Sequence, residues 1–138
     1  MRAICLISGD HEAQLDHLAS LASLLDLPLF VTDPNIFQKA KFFYPFTESL
    51  FVEESSLLSF LTTCDFVFVS CKHYSSELAA TLKFFYHTTP RFCYCPHGNS
   101  DKGNIRPYAE ALCQEDLLLV YGQQMIDFFH VKHIGTFK

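Results

Sequence analysis

Several short stretches of this chain are apolar at almost every position rather than at every second one. AICLIS (residues 3–8), PLFVTD (28–33), DFVFVSC (65–71), RFCYC (91–95) and DLLLVYG (116–122) are of this kind, and FTESLFVE (46–53) is a weaker example. A strand with one wet face alternates apolar and polar side chains, whereas a strand without alternation has both faces covered. The stretches between them carry the helical period instead. Leu15, Leu18, Ala19, Ala22 and Leu25 recur at three and four within residues 12–25. Ser55 or Ser56 is placed to cap a short helix bearing Leu57, Leu58, Phe60 and Leu61. Residues 75–86 set Leu78, Leu82, Phe85 and the Tyr86 ring on one side. Pro107 suits the first turn of a further helix, residues 123–130 read as a short last one, and residues 131–137 as a seventh strand.

Covered strands alternating with helices predict a parallel sheet with helices on both faces. At 138 residues and 49 % hydrophobic, the chain suffices for one buried core. The expectation is an α/β fold: one three-layer Rossmann-like domain over residues 1–138, with a mostly parallel sheet of six or seven strands.

Charge and cysteine usage narrow the function. Ten Lys and Arg against 15 Asp and Glu leave a net charge of −5, the wrong sign for a protein that grips a phosphate backbone, so no nucleic-acid partner is expected. The six cysteines fall mostly inside apolar strands and no secretory leader precedes them, which reads as buried free thiols in a reducing cytoplasm. No apolar stretch approaches the ~18 residues of a membrane span.

The parallel pattern locates the functional edge. In open α/β sheets, ligands bind outside the carboxyl ends of the strands, where strand order reverses; in a 3-2-1-4-5-6 order that point lies between strands one and four. Just past the ends of strands one, four and five stand SGDH (residues 8–11), SCKH (70–73) and PHGNSDKG (96–103). Gly9, Asp10, His11 and His73 therefore belong to one crest with His97. In the third loop Gly98 and Gly103 permit positive φ or close backbone approach, and Asn99, Ser100 and Asp101 are turn and cap residues. Backbone amides there, with Lys102 and Arg106 nearby, suit an anionic group. His97 has the ordinary pKa of a general base toward a hydroxyl. The same residues also serve a loop that merely turns the chain.

A parallel α/β half ending in HG and SDKG, then a helix, a strand, a short helix and a closing IGTFK, resembles the amino-terminal domain of two-domain GT-B enzymes. More narrowly, PHGNSDKG is similar to the His-Gly loop of the CDP-glycerol glycerophosphotransferase family, in which a Lys follows a few residues later; Pro96 stands where that family usually has Trp. The resemblance implies the acceptor-side domain of a glycosyl- or glycerophosphotransferase acting on a polyol-phosphate or sugar. His97 would be the catalytic base, with Gly98, Asn99, Ser100, Lys102, Gly9, Asp10, His11 and His73 on the acceptor. The nucleotide-activated donor would bind a carboxy-terminal domain that follows Lys138, so the present chain would be inactive alone. It also implies a cytoplasmic location at the inner face of a membrane, with peripheral membrane contact.

Cys93, Cys95 and His97 alternate and, with Cys71 or His73, would make a zinc set, yet a helix on that face buries the two cysteines and no C-x-x-C knuckle exists. No metal ion and no cofactor are expected; Gly9 lacks the further glycines of a dinucleotide loop, and buried thiols are inert nucleophiles. Asp10 also serves as a cap for the first helix. NIFQKAKFFYPF (residues 35–46) gathers five aromatic rings beside Lys39 and Lys41, and packing in the core or against a partner is favoured there over lipid. The oligomeric state is not specified. The competing class is a non-enzymatic α/β module that holds a small anion or a protein partner at the same edge.

Overall fold

The computed structural model describes residues 2–96, 116–119, 123, 126 and 127, with 72–74 described by backbone alone. It is a six-stranded, all-parallel sheet in the order β3-β2-β1-β4-β5-β6. The strands are β1 (Ala3–Ile7), β2 (Leu29–Val31), β3 (Ser49–Phe51), β4 (Phe66–Val69), β5 (Arg91–Tyr94) and β6 (Leu117–Leu118). The helices are α1 (Leu15–Leu25, entered by a 3-10 turn, Glu12–Gln14), α2 (Pro34–Phe43), α3 (Glu54–Leu61) and α4 (Lys72–Tyr86). The expected α/β class and strand order are both present.

Strand alternation divides the core into two layers. Ile4, Leu6, Phe30, Val67, Val69 and Phe92 pack with Leu57 and Leu61 of α3 and Leu78 and Leu82 of α4. Cys5, Ile7, Leu29 and Val31 pack on the other face with Leu15, Leu18, Ala19 and Ala22 of α1 and Ile36 and Ala40 of α2. This is the outcome of right-handed crossovers: β1 to β2 to β3 step one way along the sheet and β4 to β5 the other, so their helices lie on opposite faces. The buried residues of β1 and β2 thereby meet helices on both faces, which is why those strands need no polar face.

The structure corrects the sequence reading in five places. Residues 34–43 are a helix: Asp33 caps it, accepting the amides of Asn35 (2.8 Å) and Ile36 (2.9 Å), and Pro34 begins its first turn. The third strand is three residues long, not eight. α3 begins at Glu54 with Glu53 at the cap position, and α4 begins at Lys72, three residues before the expected Ser75. Phe85, expected in the core, is 68 % exposed, and Tyr86 is exposed as well. Length explains the last point. A 15-residue helix is ~22 Å long, while the four-residue strands β4 and β5 span ~13 Å, so the C-terminal turn of α4 hangs past the sheet. The expected helices at 107 and 123–130 and the strand at 131–137 lie outside the described residues, except that residues 123, 126 and 127 are helical.

Candidate functional site

β1 is the strand at which the order reverses, with β2 on one side and β4 on the other. Past Ile7 the chain turns at Gly9, whose φ of +66° lies in the left-handed region, where any side chain would be strained. The Gly9 amide donates to Thr32 Oγ1 at 2.8 Å, and the Thr32 amide donates to the Ile7 carbonyl at 3.1 Å. The ends of β1 and β2 are thus tied to each other. On the far side of the seam, Ser70 Oγ donates to the Cys95 carbonyl at 2.8 Å and the Cys95 amide to the Val69 carbonyl at 2.7 Å. Those bonds tie the ends of β4 and β5. Each clamp joins neighbours within one half of the sheet, and at the switch point between them, where a parallel sheet offers its binding crevice, stand Gly9 to His11 on one side and the N-terminus of α4 on the other.

At the amino end of the same seam the bonds run across it. The Asp65 carboxylate accepts the Arg2 amide, the Arg2 carbonyl accepts the amides of Asp65 (2.8 Å) and Phe66 (3.2 Å), and the Arg2 guanidinium donates to Thr63 Oγ1 at 2.9 Å. Among the described residues, bonds cross the seam at its amino end, whereas those at its carboxyl end run within each half of the sheet.

Of the expected site residues, Gly9, Asp10 and His11 stand just past the carboxyl end of β1, with Asp10 and His11 exposed. His73 lies in the first turn of α4. His97, Gly98, Asn99, Ser100 and Lys102 lie outside the described residues. Asp10 does not cap a helix: neither the 3-10 turn nor α1 has a side-chain cap, and Asp10 instead offers its carbonyl to the Glu12 amide at 2.9 Å. The described edge is rich in carboxylates. Asp33 is occupied as a helix cap, and Glu12 is paired with Lys39. Asp10, Glu53 and Glu54 face water. Such an edge accepts hydrogen bonds from hydroxyls better than it attracts a bare anion.

The thiols are poor nucleophiles. Burial and then the neighbouring Cys93 push Cys5 up to about 12, a hydrogen bond to Cys93 and burial raise Cys95, and burial raises Cys64. Cys71, at the cap position of α4, is half-buried. Among the described residues no three His, Cys, Asp or Glu side chains are grouped to hold a metal ion. Thr32 and Ser70 are absent from the residues singled out by sequence, although each is a hydroxyl immediately after a buried strand, the position from which it can fasten the next loop.

Comparison with known protein families, with characterised proteins and with solved structures finds no match to this chain.

Proposed function

We propose that the β1/β4 crevice receives the hydroxyl end of a polyol or sugar and that the chain is the acceptor-side domain of a GT-B-like transferase. One observation supports this above the rest: the strand order reverses at β1, so Gly9 to His11, the start of α4 and the exit of β5 border one opening, and the exposed Asp10 there is an acceptor for ligand hydroxyls. The phosphate of a polyol-phosphate would rest with Lys102 and Arg106, and His97 would take the hydroxyl proton, in keeping with the resemblance of PHGNSDKG. A donor nucleotide requires a second domain.

The second reading, a non-enzymatic module that holds an anion at this edge, is favoured by the clamps: the hydroxyls of Thr32 and Ser70 serve the backbone rather than a reacting centre.

Amide NMR of the chain titrated with glycerol 3-phosphate, glycerol and inorganic phosphate separates the readings. Glycerol 3-phosphate is expected to shift Gly9, Asp10 and His11, with Asp10→Asn weakening it about tenfold, a loss of ~1.4 kcal/mol. Equal shifts with inorganic phosphate favour the module, and no shift at these amides removes the site. In a full-length enzyme, His97→Ala is expected to lower transfer roughly 10²–10⁴-fold.

A further inference from the structure

The edge of the sheet away from the crevice carries a cluster of exposed apolar side chains. Phe46 is 96 %, Leu24 81 %, Phe42 77 % and Phe43 64 % exposed; all lie at the C-terminal ends of α1 and α2 or in the turn after α2. They line a groove of about 670 Å³ that also includes Ser20, Ser23 and Thr47. Beneath it the structure is held firmly, since Thr47 Oγ1 donates to the Ala19 carbonyl at 3.4 Å and the Tyr44 hydroxyl to the Asp16 carboxylate at 2.6 Å.

Charge and size decide between occupants. Lys41 is exposed beside the cluster, but so are Asp26 and Glu48, and Lys39 is held by Glu12. Stable attachment to anionic lipid takes several cations or a second anchor, and this rim has mixed signs on a chain of net charge −5. The three phenylalanine rings, each burying ~150–250 Å² when fully covered, present roughly 450 Å² of apolar surface. That lies in the middle of the ~300–600 Å² range for the largest patch on a monomer, which is often functional, and is over half of the ~800 Å² per partner in a stable interface. Leu24, Leu25, Pro45 and the charged rim extend the same face. A two-fold interface requires a projection and a recess on one surface. Here the strongly exposed Phe42 and Phe46 rings are themselves walls of the groove, so each copy can offer rings and recess together, and a cation and two carboxylates share the rim.

We propose that this face joins two copies of the chain about a two-fold axis, Phe42 and Phe46 of each seated in the groove of the other. Helices in a parallel α/β unit run from the carboxyl edge of the sheet to its amino edge, so the interface forms at the end opposite the crevice. Both crevices stay open in the dimer.

Sedimentation equilibrium of the purified chain is expected to show a concentration-dependent monomer–dimer equilibrium. Phe42→Glu and Phe46→Glu are each expected to weaken it about tenfold or more, with the far-UV circular dichroism unchanged because both rings face water in the monomer. Phe85→Glu, on the α4 side of the sheet, is expected to leave the dimer intact. A monomer at every soluble concentration overturns the proposal, as does a dimer that survives both Phe42→Glu and Phe46→Glu, or one lost in Phe85→Glu alone. Phe46-dependent co-sedimentation of a monomeric chain with phosphatidylcholine–phosphatidylglycerol vesicles assigns the face to lipid and overturns it equally.

Discussion

The two ends of the β1/β4 seam are built from the same pair of strands and differ in almost everything else. At the amino end, Arg2 and Asp65 bond across the seam; among the described residues at the carboxyl end the bonds run sideways, from Gly9 to Thr32 and from Ser70 to Cys95. The carboxyl end bears carboxylates and the beginnings of helices, whereas the amino end bears the overhanging ends of helices that are longer than their strands. α2, of 10 residues, is ~15 Å long, against ~10 Å for the three-residue strands β2 and β3 on which it packs. A parallel sheet with short strands thus sorts polar chemistry to one edge and unburied aromatic surface to the other without any motif being required.

The sideways clamp at the carboxyl end is the part of this contrast most open to disruption. Thr32→Val keeps the shape and strands the half-buried Gly9 amide, and is expected to lower stability by about 1–3 kcal/mol in urea unfolding; a change below ~0.5 kcal/mol would mean the loop is held by something else. Asp65→Ala, at the amino end, is expected to lower stability by about 1 kcal/mol, less than a buried charge-assisted bond because the pair is exposed. Its glycerol 3-phosphate shifts should match wild type. If Asp65→Ala changes binding and Thr32→Val does not, the assignment of roles to the two ends is reversed.

The smallest effect concerns pH at the aromatic end. A hydrogen bond to Asp16, aided by partial burial and the carboxylate's charge, pushes the Tyr44 phenol up to about 12 from 10.0. The protonated form is the one favoured by folding, so its contribution is complete below pH 10.0 and is lost as pH rises through about 12. The stability difference between wild type and Tyr44→Phe should therefore be flat up to pH 10.0 and shrink above it, and Asp16→Asn should remove that dependence.

Much of this architecture is legible in the residues. The uninterrupted strands 3–8, 28–33, 65–71 and 91–95 announce burial on both faces, and Leu15 to Ala22 announce the first helix. The second helix is equally legible in Asp33, Pro34 and the Ile36–Ala40 spacing, a capping signal overlaid by the five rings of residues 35–46. Phe85 misled for the opposite reason: its spacing from Leu82 is correct for a buried stripe, and periodicity cannot tell where the strand beneath a helix stops. Gly9 to His11 were found because topology places them. Thr32 and Ser70 were not, since a hydroxyl's partner is known only when two loops meet.

Among the described residues no helix is long and apolar enough to cross a membrane. The amino-acid pattern alone determined that this chain makes a parallel α/β sheet covered on both faces and where along the chain its loops fall, because burial and helical period are properties of neighbouring residues. Only the tertiary structure decided that Arg2 bonds across the seam while Gly9 bonds sideways to Thr32, and that Phe42 and Phe46 stay in water. Those outcomes depend on the relative lengths of helices and strands and on bonds between distant loops, which no local pattern encodes.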